Sequence, residues 1–229
     1  FIRKKYESFQ DEINLLKQIG PTYEGRKRIN AINDAIQSKA DVAILDDGFQ
    51  DFSINKNLSI VCFNEKQWIG NGLVIPSGPL REGLAALKRA NCVIINGEKN
   101  TDIENRIFSN NKKIKIFYTK YKAQNIDEFK NKKVIGFAGI GNPINFFNLL
   151  KDNNIDILEE INFPDHYNYF DKELANLINK AKENNSILLT TEKDYLRIDE
   201  NYKKNINCLK IVVEIENRNQ FIEEIKKVI

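Results

Sequence analysis

The sequence predicts an α/β protein built on mainly parallel sheet, with helices on both faces. Three observations carry that expectation. Short runs rich in β-branched residues recur along the 229-residue chain, helical stretches alternate with them, and the runs are apolar throughout rather than at every second residue. Strands covered on both faces read this way. Alternation of strand and helix implies parallel pairing through right-handed crossovers.

In chain order, helices are expected over 12–19 and 29–37. The apolar run Val42-Ala43-Ile44-Leu45 reads as a buried strand that stops at Asp46-Asp47-Gly48, residues that favour turns. Strands over 59–63 and 92–95 follow. The loop Gly70-Asn71-Gly72 to Pro76-Ser77-Gly78-Pro79 and a helical segment around 84–89 lie between them. Residues 96–113, rich in Lys and Asn, give the weakest pattern. A strand over 114–118 comes next. A second run of alternation begins near Val134, with strands over 134–138, 187–190 and 209–213 and helices over 144–151, 172–183 and 221–228. The expected organisation is therefore two α/β lobes, 1–113 and 114–229, the second opening with a linker.

Composition narrows the function. A net charge of +3 is too small to argue for nucleic acid, and 41% hydrophobic with 29% charged residues is ordinary for a globular protein. No apolar run approaches the roughly 18 to 20 residues that span a bilayer. Cys62, Cys92 and Cys208 are odd in number and far apart, which argues against a disulfide framework or zinc site and fits a reducing compartment. The chain holds no Met and opens in Phe1-Ile2-Arg3-Lys4-Lys5, so the expectation is a fragment whose N-terminus lies upstream.

The most informative chemistry is Asp46-Asp47 at a strand end. Ligands bind at that edge of parallel sheets, and Mg²⁺ takes one or two carboxylates beside phosphate and water. His166, the single histidine, sits in Phe163-Pro164-Asp165-His166-Tyr167 and is the only imidazole available as a general base. Gly139-Ile140-Gly141-Asn142-Pro143 feeds a helix start, where free N–H groups suit an anion or simply make a tight turn. It matches neither a Walker A loop nor the full dinucleotide fingerprint. Arg26-Lys27-Arg28 places cations at a helix start against its dipole, which suggests an anionic partner. Arg81 has the planar fork that phosphate favours, with a surface ion pair as the plain alternative. Thr191 and Asp194 have the spacing of a helix cap.

Six strings in this order resemble the tetraacyldisaccharide 4'-kinase family: Asp46-Asp47-Gly48-Phe49-Gln50, Gly70-Asn71-Gly72, Gly78-Pro79-Leu80-Arg81-Glu82, Gly139-Ile140-Gly141-Asn142-Pro143, Phe163-Pro164-Asp165-His166 and Thr191-Glu192-Lys193-Asp194. The resemblance implies a P-loop-kinase-like fold with a second, smaller lobe. It implies transfer of phosphate from ATP, with Mg²⁺, to the 4'-hydroxyl of a lipid A disaccharide precursor at the cytoplasmic face of the inner membrane. It assigns metal handling to Asp46 and Asp47 and the catalytic base to His166. Asp11 is the expected acidic partner of that histidine, in Gln10-Asp11-Glu12-Ile13, where the family carries Gly-Asp-Glu-Pro. The dyad is then expected to join the two lobes, with closure assembling it. Gln50, Arg81, Arg26 and Arg28 are the expected substrate-binding residues.

Asp51 stands where the family usually has His. The resemblance also puts the phosphate-cradling loop and a membrane-associating helix upstream of Phe1, so little kinase activity is expected of residues 1–229 alone. Two other classes compete: a metal-dependent sugar transferase, which leaves the six strings unexplained, and a non-catalytic phosphoglycolipid- or nucleotide-binding lobe.

Overall fold

A computed structural model describes residues 1–4 and 10–228, with side chains at 1–4 and 13–228. In chain order the elements begin with β1 (Ile2–Lys4), α1 (Gln10–Ile19), β2 (Tyr23–Gly25), α2 (Arg28–Gln37), β3 (Ile60–Asn64) and β4 (Cys92–Asn96). They continue with α3 (Thr101–Asn110), β5 (Lys115–Ala123), β6 (Lys133–Ala138), α4 (Pro143–Asp152), β7 (Asp156–Asn162) and α5 (Asp171–Glu183). The chain ends in β8 (Ile187–Thr191), α6 (Glu192–Arg197), α7 (Glu200–Lys203), β9 (Ile206–Leu209), β10 (Ile211–Ile215) and α8 (Arg218–Lys226). Two compact units emerge: Phe1–Lys5, Tyr23–Lys120 and Val213–Ile229 form the first, Tyr6–Thr22 and Tyr121–Val212 the second.

The first unit holds a small parallel pair, β1 with β2, and contributes most of a four-stranded sheet ordered β10-β5-β4-β3. Its main core gathers Leu87, Val93, Ile95, Ile103, Ile107 and Tyr118, with Phe63 and Trp68 packed against it. A fully buried aliphatic side chain such as Ile107 contributes roughly 1.5–3 kcal/mol through removal from water. The second unit is a parallel sheet ordered β7-β6-β8-β9. Side chains alternate across it. Val134, Ala138 and Leu189 join Phe146, Phe147 and Leu150 of α4 on one face. Ile135, Phe137 and Leu188 join Leu174, Leu177 and Ile178 of α5 on the other. Both faces of β6 and β8 are covered, which is why residues 134–138 and 187–189 include no charged side chain.

Four expectations change. Residues 42–45 form no strand; a single parallel bridge links Leu45 to Ile2, and Val42 and Ile44 are exposed. Only Leu45 finds a cluster to join, with Ile2, Ala31, Ala35 and Tyr23. The weak stretch 96–113 contains α3, started by Asn100, whose side chain accepts from the N–H groups of Asp102 and Ile103. The strand expected over 209–213 is two strands, β9 ending at Leu209 and β10 starting at Ile211. Finally, Asp11 and His166 fall in the same unit, so that pair does not join two lobes. Asp46 and Asp47 belong to the other unit.

Candidate functional site

In the first unit the acidic pair follows the Leu45 bridge. The N–H of Asp46 donates to the Ile2 carbonyl at 3.0 Å, which fixes where the turn begins. Asp47 adopts φ 50°, the left-handed region that Asp tolerates better than most residues. Arginines surround the turn. Arg3 pairs with the Asp46 carboxylate at 3.2 Å and Arg81 with both oxygens of Asp47 at 2.6 and 2.7 Å. Arg28, the first residue of α2, is buried. Its Nη2 donates to the carbonyls of Asp46 (2.9 Å) and Asp47 (2.7 Å), and its Nη1 meets Asp51 at 3.2 Å.

Asp51 is therefore part of the brace. A hydrogen bond from Ser53, with help from Arg28, holds its carboxyl below the usual range. Arg26, by contrast, is exposed, and Gln50 is half-buried beside the turn. Arg89 lies 4.9 Å from the ring centroids of both Phe49 and Phe52 and grips Glu82 with Nη2 at 2.9 and 2.8 Å.

Whether the acidic pair suits Mg²⁺ is a question of donors. Among the described residues no group of three or more His, Cys, Asp or Glu side chains converges to enclose a cation. Two neighbouring carboxylates, 38% and 50% exposed, remain in reach of solvent. Hard oxygens in that number, with room for water and phosphate, match the needs of Mg²⁺.

In the second unit, His166 follows β7 in a loop that folds over the end of β6. Its backbone is left-handed, at φ 56°. The N–H of His166 donates to the Gly139 carbonyl at 3.0 Å and to Asp165 Oδ1 at 2.9 Å, while the imidazole Nε2 lies 3.9 Å from Asp165 Oδ1. The ring is 30% exposed, open enough to exchange a proton with a ligand. The loop ends where Glu173 reaches back to the Phe170 N–H at 3.0 Å and accepts from the Tyr167 hydroxyl at 2.8 Å. Asp11 lies on α1, which packs against α6, but its side chain is outside the described residues.

Beneath the histidine loop lies a residue whose weight the sequence reading missed. Asp194 is fully buried. Its Oδ1 accepts from the Gly139 N–H (3.0 Å) and the Tyr169 hydroxyl (2.8 Å) and meets Arg197 Nη1 at 3.3 Å. Its Oδ2 accepts from the Thr191 hydroxyl at 2.6 Å, and its N–H closes the expected cap on Thr191 at 3.2 Å. The cap was legible from spacing. The carboxylate's more distant partners are Gly139, just past the end of β6, and Tyr169 in the 163–170 loop, far away in sequence. Arg197 three residues on was the available signal.

The profile of the family described as "Tetraacyldisaccharide-1-P 4'-kinase" matches residues 3–229. The chain is 41% identical over 230 residues to the tetraacyldisaccharide 4'-kinase of Pelagibacter ubique, covering 99% of this chain and 73% of that protein. It is 36% identical over 219 residues to that of Rickettsia akari, covering 95% of this chain and 66% of that one. A crystal structure of LpxK from Aquifex aeolicus in complex with ATP superposes with a TM-score of 0.70 at 26% identity, covering 95% of this chain and 68% of that one. The fold is accordingly P-loop-kinase-like. With a matching profile across nearly all of its length, the chain belongs to the tetraacyldisaccharide 4'-kinase family, ATP-using lipid kinases of lipid A biosynthesis.

Proposed function

We propose that this chain acts in ATP-dependent phosphorylation of the 4'-hydroxyl of a tetraacyldisaccharide 1-phosphate, the lipid A precursor. The family match over residues 3–229 carries the reading. Phosphoryl transfer asks a protein mainly for positioning and charge neutralisation.

In the first unit, Asp46 and Asp47 are the residues that would hold Mg²⁺. The ion supplies neutralisation of phosphate charge when bound. Arg28 and Arg3 keep the acidic turn in place. Arg28 thus serves the site from beneath, because its guanidinium is spent on the Asp46 and Asp47 carbonyls and on Asp51. Arg81 is the better phosphate ligand. It is exposed and reaches the same turn, so a phosphate there competes with Asp47 for it. Arg26 and Gln50 are further contacts for the anionic sugar.

In the second unit, His166 accepts the proton of the attacking hydroxyl, and Asp11 orients the imidazole and stabilises its protonated form. The acyl chains of such a substrate lie in a bilayer. Among the described residues no helix is long and apolar enough to cross one. The reading is peripheral contact at the cytoplasmic face of the inner membrane, without nucleic acid as partner.

The test supplies γ-labelled ATP, Mg²⁺ and tetraacyldisaccharide 1-phosphate to kinase-active protein containing this chain. The label is expected on the 4'-oxygen, with ADP released. Transfer of a sugar, or labelled product in the absence of divalent cation, overturns the reading.

A further inference from the structure

The histidine loop is held by a buried network, and one helix lies at its centre. Gly139 offers both of its backbone groups to this network. Its N–H donates to Asp194, and its carbonyl accepts from the His166 N–H at 3.0 Å and from Arg197 Nη1 at 2.9 Å. Arg197 also reaches the Tyr167 carbonyl at 3.5 Å, and Tyr169 donates its hydroxyl to Asp194. The backbone is therefore pinned at residue 166, at residue 167 and through the side chain of 169. A left-handed non-glycine residue needs such support.

The space is closed as well. A Cβ on Gly139 would lie 3.0 Å from the Tyr169 hydroxyl, 3.1 Å from Tyr167 Cβ and 3.2 Å from Asp194 Oδ1. Burial, and then the Asp194 carboxylate, push the Tyr169 phenol up, so it remains a donor throughout the working pH range. The helix that supplies Asp194 and Arg197, α6, is also the one on which α1 packs, and α1 carries Asp11.

We propose that Asp194 and Arg197 are positioning residues for His166, acting through the Gly139 carbonyl and the backbone of the 163–170 loop, with α6 as the shared mount of both members of the Asp11–His166 pair. Neither residue needs to touch substrate. Each fixes the direction in which the imidazole points. The catalytic consequence rests on the reading of His166 as base, but the positioning itself does not.

His166 is the single histidine, so labelling histidine with ¹³C and ¹⁵N gives one set of imidazole signals in the whole chain. Arg197→Met is expected to move those signals, with Arg197→Lys returning part of the way. Asp199→Ala serves as the control: Asp199 caps α7 outside the network, so its loss lowers the melting temperature without moving the imidazole. In kinase-active protein, Arg197→Met is expected to lower kcat at least about tenfold, with KM for ATP and lipid changed by less than about twofold.

Imidazole signals unchanged in folded Arg197→Met overturn the proposal. If that variant does not fold, Tyr169→Phe decides instead, because it removes one hydroxyl from Asp194. Shifted signals then support the proposal, and unshifted ones overturn it. Shifted signals with unchanged kcat leave the positioning intact and remove His166 as the base.

Discussion

Arg28 is bound to Asp47 through the backbone rather than the side chain. Its Nη2 donates to the Asp47 carbonyl at 2.7 Å, and the same atom reaches the Asp46 carbonyl at 2.9 Å. A buried cation thus holds the main chain of the acidic turn while leaving the Asp47 carboxylate to Arg81.

Arg28→Ala is predicted to destabilise the protein by roughly 2–4 kcal/mol, since two carbonyls and the Asp51 carboxylate lose their donor in a poorly solvated place. Urea denaturation measures it. A midpoint unchanged from wild type would show that water replaces the guanidinium without cost. Activity should fall too, because the turn carrying Asp46 and Asp47 loses its anchor.

Much of the fold was legible where local pattern and tertiary role coincide. Residues 134–138 and 187–190 were found because covering both sheet faces requires unbroken apolar runs. The lesson fails where burial is partial. β7 alternates exposed and half-buried side chains among acidic residues and went unread. Val42-Ala43-Ile44-Leu45 looked like a strand because its composition is that of one, yet it gains only the Leu45 bridge. At the site, Asp46, Asp47 and His166 were visible as motifs. The inward turn of Arg28 was not, since its partners lie 18 to 23 residues away. Nor was Asp194 recognisable, because burial of a carboxylate is a property of the neighbours that enclose it.

Tyr118 on β5 donates to Glu104 on α3 at 2.9 Å. Burial, and then that carboxylate, push its phenol up to about 12. A group raised on folding adds stability that is complete below its ordinary value of about 10 and is lost as pH rises through about 12. Tyr118→Phe is therefore predicted to flatten the fall in stability across that alkaline window. Chemical denaturation at successive pH values checks it. An alkaline limb as steep as that of wild type would show that Tyr118 carries none of this dependence.

Two cysteines are shifted the same way. Burial raises Cys92, and burial followed by Glu192 pushes Cys208 up to about 12. The thiolate is the reactive form, so alkylation by iodoacetamide at pH 7.5 is predicted to run slower at both than at a free cysteine in solution. Mass spectrometry of timed samples gives the rates. A thiol that reacts faster than the free amino acid would contradict the prediction.

The most direct measurement is the turnover of His166→Ala in kinase-active protein, with kcat and KM determined separately for ATP and the lipid. Loss of a general base is predicted to lower kcat by roughly 10²- to 10⁴-fold and to leave both KM values near those of wild type. A kcat within about twofold of wild type would contradict proton transfer through this imidazole.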